Sequence, residues 1–159
     1  EQESGFDYAF KDCTSLEEIP DNLFANCSQI TTFTSTFEGC TSLKNIPENL
    51  FKNCPNVIDF GSTFMDSGIT SLPQNLFNGC PAALFFNDTF AECENLTGKA
   101  IPLWNRRISI EIIEGVFGMD IPEEQEEEIL TSLEESRGMY CYFECEGLED
   151  YDTIPENWK

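Results

Sequence analysis

The stretch FKDCTSLEEIPDNL at residues 10–23 returns as FEGCTSLKNIPENL at residues 37–50, with the same residue types in the same places. Working outward from that pair, Phe10, Phe37 and Phe64 recur at one constant interval, and Phe90 follows a single position early. Phe24, Phe51 and Phe77 run between them with the same two intervals. Each unit therefore divides into halves of 13 or 14 residues, and seven such halves fill residues 10–104. Their shared pattern is Phe-x-x-Cys-x-x-apolar-x-x-apolar. Ile19-Pro20, Ile46-Pro47 and Leu72-Pro73 mark strand ends, since proline has no N–H to give a ladder. Each proline then opens a Pro-x-Asn-Leu-Phe turn.

Such a half is too short for a strand plus a full helix, so the spacing predicts a repeat solenoid of short parallel strands and single helical turns, about 27 residues to a coil. Stacked coils lie about 4.8 Å apart, which turns each repeated position into an interior ladder. The predicted core ladder is Phe10, Phe24, Phe37, Phe51, Phe64, Phe77 and Phe90, with Cys13, Cys27, Cys40, Cys54, Cys80 and Cys93. Burying a phenylalanine stabilises by about 1.5–3 kcal/mol, but only where a neighbouring coil covers it. Stability is expected to be collective.

The cysteines can be read as a disulfide framework or as stacked thiols. Each of the two columns holds three of them, and Ser67 stands where the next is due, so pairwise bridging cannot be the rule. Buried free thiols are the better reading. Cys141 and Cys145 fall outside the regular array and are the pair expected to behave differently. The chain has no histidine and no Cys-x-x-Cys, so nothing implies a metal or any other cofactor.

The 159 residues carry 30 acids against 8 bases, a formal charge of −22. Such a surface repels nucleic-acid phosphates over a Debye length of about 8 Å, so nucleic acid is not an expected partner. The charge also favours a monomer. No run reaches the roughly 18–20 apolar residues of a membrane span, and no signal peptide is present, which a mature chain would have lost.

The consensus Phe-x-x-Cys-x-x-Leu-x-x-Ile-Pro-x-x-Leu resembles the BspA-like leucine-rich repeats of surface proteins from gut anaerobes and some mucosal parasites. The resemblance covers residues 10–104, and Cys145-Glu-Gly-Leu148 through Ile154-Pro155 looks like a terminal half-repeat. It implies a solenoid displayed outside the cell or on its surface, binding a protein or a host-surface glycan. It transfers no catalytic residue.

Residues 1–9 read as an N-terminal tail or cap, 10–104 as the solenoid, 105–139 as an insertion and 140–159 as the terminal half-repeat. Within the insertion, the alternation ISIEI at 108–112 predicts a strand. An acidic helix is expected over 121–137, capped by Asp120, with Ile129, Leu130 and Leu133 laid against the solenoid end as a cap.

Catalysis has little to work with. Without histidine, the Ser-His-Asp and Cys-His mechanisms are excluded. A carboxylate glycosidase would need two acids facing each other about 5–9.5 Å apart across a cleft. The expected function is non-catalytic binding of the adhesion type, and a structural spacer in a larger surface or phage-type assembly is the alternative. The candidate binding residues are the stacked row Thr32, Asp59 and Phe85, with Phe85 projecting outward beside a buried Phe86. Trp104, Arg106 and Arg107 carry the one adjacent basic pair, which could meet a ligand carboxylate or, more simply, nearby acids. Asn87-Asp-Thr89 and Asn95-Leu-Thr97 would accept a glycan only in a eukaryotic secretory pathway.

Overall fold

A computed structural model of the chain describes residues 5–159. Isolated parallel bridges Gly5–Thr32, Thr32–Asp59 and Asp59–Phe85 join positions one repeat apart, and these bridges mark where successive coils begin. Coil 1 covers 5–31, coil 2 covers 32–58, coil 3 covers 59–84, coil 4 starts at 85 and coil 5 runs from 137 to 159. A ladder of four backbone bonds runs across each of the four interfaces, with further bonds such as that from the Ile58 N–H to the Thr31 carbonyl beside it. Between coils 1 and 2 the N–H groups of Phe6, Tyr8, Phe10 and Asp12 donate to the carbonyls of Thr32, Thr34, Thr36 and Glu38 at 2.8–3.2 Å. Coils 2 and 3 repeat this from Phe33, Ser35, Phe37 and Gly39, and coils 4 and 5 from Phe86, Asp88, Phe90 and Glu92.

The expected strands shrink to single bridges, and the expected helical turn is an open hydrogen-bonded turn. One backbone feature explains both. The residues two before and two after each ladder aromatic take left-handed φ: Tyr8 and Asp12, Ser35 and Gly39, Ser62 and Asp66, Asp88 and Glu92, Tyr140 and Glu144, all between +50° and +70°. A left-handed residue breaks an extended run and a right-handed helix alike. It also turns the alternate N–H groups the same way, toward the next coil.

The interior is an aromatic stack in three columns. Phe10, Phe37, Phe64 and Phe90 lie face to face at centroid separations of 5.3–5.8 Å. Phe24, Phe51 and Phe77 form the second column at 6.0 Å. A third column, Phe6, Phe33, Phe60 and Phe86 at 5.8–5.9 Å, meets the second at steep angles, and the second column touches both of the others. Tyr142 continues the first column by stacking on Phe90 at 5.6 Å, and Cys145 follows it at the spacing of every repeat. Cys145 thus belongs inside the array, and residues 137–159 form a coil of their own.

At the N-terminal end the predicted ladder is incomplete. Phe10 and Cys27 are half-buried and Cys13 is exposed, because no described coil lies over them. Residues 5–9 are part of coil 1, with Phe6 on Phe33, and only residues 1–4 of the expected tail lie outside the described residues.

The insertion is a helical hairpin inside coil 4. Residues 108–112 do not form a strand: Ser109 caps α1 (Ile110–Phe117) by accepting from the Ile112 N–H, and Gly118 ends it at φ +64°. The alternation was too short to separate a strand from the apolar face of a helix. Helix α2 (Glu123–Ser136) starts after Pro122, not from an Asp120 cap, and its first turn holds Glu123, Glu124 and Glu126 where the helix dipole favours negative charge. No residue of α2 is buried. The helix is therefore not the end cap. Coil 5 closes the C-terminal end instead, where Trp158 is 2 % exposed and the N–H groups of Tyr140 and Tyr142 donate to the Asn157 and Trp158 carbonyls.

Gly138 holds the place in coil 5 that Phe33, Phe60 and Phe86 hold in theirs. A Cβ there would overlap three Trp158 ring carbons, so the indole occupies the space the missing side chain leaves. Gly138→Ala should destabilise the protein by about 1–3 kcal/mol, the usual cost of overpacking, in a chemical denaturation series. Gly115→Ala, in the middle of α1 with nothing within 4 Å of its Cβ, should stabilise it by about 0.5–1 kcal/mol. A loss at Gly115 matching that at Gly138 would mean that packing against Trp158 is not the cause.

Candidate functional site

The row Thr32, Asp59 and Phe85 is stacked as its spacing predicts, but it is not an open face. Thr32 is 7 % exposed, its hydroxyl donating to Asp7 Oδ1 at 2.8 Å and sharing a bond with Thr34. Asp59 Oδ1 accepts the Gly61 N–H at 2.7 Å, which spends that oxygen on its own turn. Phe85 does turn outward from Phe86, yet its ring meets Phe117 of α1 edge-on at 6.5 Å. The hairpin covers the anchor.

Apart from Phe117 itself, the exposed aromatic side chains lie elsewhere, around the left-handed turns. Tyr8 and Tyr140 occupy the same turn position in coils 1 and 5 and are 58 % and 50 % exposed. Met139 and Phe143 flank Tyr140, and the Tyr140 and Phe143 rings meet edge-on at 5.9 Å. Acids share this face: Asp12, Asp66, Glu92 and Glu144 hold one turn position, and Asp88, whose carboxyl is pushed up by burial, holds the other. A basic group on this face is Lys11, which pairs with Glu38 at 2.8 Å and lies 5.7 Å from the Tyr8 ring. The face presents aromatic rings and carboxylates together. No sequence pattern pointed to it, although Tyr8 and Tyr140 stand two places before a ladder aromatic as Ser35 and Ser62 do.

The adjacent arginines part company. Arg107 is exposed, whereas Arg106 donates to the Phe77 and Cys80 carbonyls and lies 5.7 Å from the Phe86 ring. Arg106 therefore pairs with backbone oxygens, not with the acids expected of it. Trp104 meets Tyr142 and Trp158 edge-on, so it is packing. Asn87 donates to the Ser136 carbonyl and Thr89 is buried, which leaves that glycan motif enclosed.

Two buried polar ladders run between the aromatic columns. Thr36, Thr63 and Thr89 each offer a hydroxyl to one phenylalanine carbonyl of their own coil at 2.7 Å and to one of the preceding coil at 2.9–3.0 Å. The thiols of Cys40, Cys93 and Cys145 reach the Phe10, Phe64 and Phe90 carbonyls at 3.0–3.1 Å. The cysteines are free, as stacked thiols. Burial pushes the Cys40, Cys54 and Cys93 thiols up to about 11 and Cys80 to about 12, and raises Cys141 and Cys145 as well.

No protein-family model matches the chain, and no curated protein matches it. Among solved structures it is similar to a leucine-rich repeat protein from Bacteroides ovatus, with 23 % identity and a TM-score of 0.34 over 57 % of this chain and 21 % of that one. It is also similar to the leucine-rich repeat domain of APL1B, with 16 % identity and a TM-score of 0.30 over 52 % of this chain and 34 % of that one. The chain thus spans about a fifth to a third of the length of these proteins.

Thiols whose folded pKa is raised above the ordinary 9.0 stabilise the fold fully below that value. The contribution is lost as pH rises through the folded values, because the unfolded chain sheds those protons first. Stability should therefore decline between about pH 9 and 12 in denaturation curves taken across that range. Below pH 9, Ellman's reagent should label Cys13 fastest and Cys27 next, the other six reacting only on unfolding. Rapid native labelling of Cys93 or Cys145 would contradict the buried ladder.

Proposed function

We propose that the chain is a non-catalytic binding repeat, displayed outside the cell or on its surface, that engages a protein or a surface glycan through the turn face of coils 4 and 5. The observation that carries this reading is the exposed cluster of Met139, Tyr140 and Phe143. Exposed rings adjoining one another are costly to leave in water and are favoured where a partner covers them. Tyrosine in particular combines a large apolar ring with a hydroxyl that can serve a protein backbone or a sugar equally well. The carboxylates Asp88, Glu92 and Glu144 beside the rings supply acceptors for sugar hydroxyls or for a partner's basic groups. The resemblance of the repeat consensus to BspA-like repeats supports the extracellular placement and the adhesion type of role. The alternative reading, a spacer in a larger surface assembly, would leave these rings without a partner.

The test is a screen of the purified protein on a glycan array and against candidate surface proteins, at two salt concentrations. Replacing Tyr140 and Phe143 together by alanine should weaken a captured ligand at least about tenfold, since central aromatic contacts each cost more than about 1 kcal/mol when truncated. Phe85→Ala, beneath the hairpin, should leave binding unchanged. Binding that survives the double variant would retire this face, and a chain that retains no partner would favour the spacer.

A further inference from the structure

The two ends of the stack are chemically different. In the four-bond ladder of every interface the donors belong to the earlier coil and the acceptors to the later one, while bonds elsewhere on the coil, such as that from the Ile58 N–H to the Thr31 carbonyl, run the other way. Coil 1 therefore directs the N–H groups of Phe6, Tyr8, Phe10 and Asp12 into the protein. The carbonyls that correspond to Thr32, Thr34, Thr36 and Glu38 are those of Gly5, Asp7, Ala9 and Lys11, and none of them accepts a backbone bond from a described residue. The N-terminal edge is a row of acceptors.

The apolar surface of the same end is only partly covered among the described residues. Phe6, Phe10, Leu16, Leu23, Cys27 and Ile30 are half-buried, while their counterparts Phe33, Phe37, Leu43, Leu50, Cys54 and Val57 are at most 2 % exposed. The C-terminal end differs, because Asn157 and Trp158 take up the two central donors of coil 5, those of Tyr140 and Tyr142, and the buried Trp158 fills the space above Gly138.

We propose that the N-terminal end is an addition surface for one further coil of the same consensus, stacked in tandem on Gly5–Asp12. The argument is continuity with the interfaces already formed. An occupant must bring four N–H donors at every second residue to meet the row of carbonyls, and an aromatic above Phe6 and another above Phe10. A coil with left-handed residues two before and two after its phenylalanine brings both. A second copy of the chain does not: two N-terminal edges would set acceptors against acceptors, and at its C-terminal edge the two central ladder donors, Tyr140 and Tyr142, are already bonded to the Asn157 and Trp158 carbonyls. The surface is separate from the turn face proposed for binding, so either reading can fail alone.

The test inserts a copy of residues 32–58 between residues 4 and 5, with both cysteines of the copy replaced by serine. Serine is tolerated in one of those columns, where Ser67 stands 3.5 Å from the Cys93 thiol. In this register Phe33 of the copy faces the Gly5 carbonyl and Gly39 of the copy faces Lys11. The expected result is at least a tenfold slower reaction of Cys13 with Ellman's reagent and a higher Tm, compared with a chain carrying the same inserted segment in shuffled order. A second insertion, of residues 59–84, guards against a copy that fails to fold for reasons of its own. Cys13 as reactive in both insertions as in the shuffled control would overturn the proposal. So would a parent chain that sediments as a dimer with Cys13 already protected, which would make this end a contact between copies.

Discussion

Everything in this molecule depends on the one-way ladder of hydrogen bonds around each stacked aromatic. A conventional parallel strand sends its N–H groups alternately to two neighbours, whereas here four N–H groups in each coil all face the next one. The left-handed residues flanking each ladder aromatic make this possible, and nine of the ten are not glycine. A non-glycine residue in that region costs about 1–2 kcal/mol locally. The cost is met because each such turn aligns a set of bonds and seats one aromatic on the next. Remove the stacking and the turns have nothing to hold them, which is why the stability of one coil resides in its neighbours.

The aromatic periodicity was legible because phenylalanine recurs at fixed spacing, and the register that it implies is the register of the bridges. Other features were equally periodic but masked by their chemistry. Phe33, Phe60 and Phe86 repeat at the same intervals as the ladder phenylalanines, yet they fall at the end of a half-repeat, where a surface strand would alternate. Thr36, Thr63 and Thr89 precede each ladder phenylalanine and read as ordinary turn residues, although their hydroxyls bridge coils in the core. Coil 5 was hidden by a substitution and an interruption together: Tyr142 replaces phenylalanine, and the hairpin sets it two full periods after Phe90 where one is expected.

The candidate binding row shows where spacing stops being informative. Residues at one repeat position must stack, so Thr32, Asp59 and Phe85 were correctly aligned. Whether the row faces water depends on what is laid over it, and that came from Phe117, more than a whole repeat further along and in a different kind of structure. The turn face escaped notice for the converse reason. Tyr8 and Tyr140 share their left-handed φ with Ser35, which is buried, so the exposure comes from the long side chain at that turn, and no pattern announces it when the residues there are tyrosine, serine and aspartate.

Half-buried Arg106 and buried Arg137 show how the stack tolerates its interruption. Past Phe77 the ring contacts of the second column pass to Trp104, Arg106 lies 5.7 Å from the Phe86 ring, and Arg137 lies 5.7 Å from the Trp158 ring. A guanidinium is planar and can stack as a ring does, while its N–H groups reach oxygens that a phenylalanine would leave unserved. Arg106 serves the Phe77 and Cys80 carbonyls, and Arg137 serves those of Trp104 and Arg106, where the chain leaves the coil and returns to it. Burying two cations this close together is unfavourable in a neutral protein. In a chain with a formal charge of −22 the surrounding potential offsets part of that cost, so the acidity that keeps the surface hydrated also lets arginine join the ends of the break.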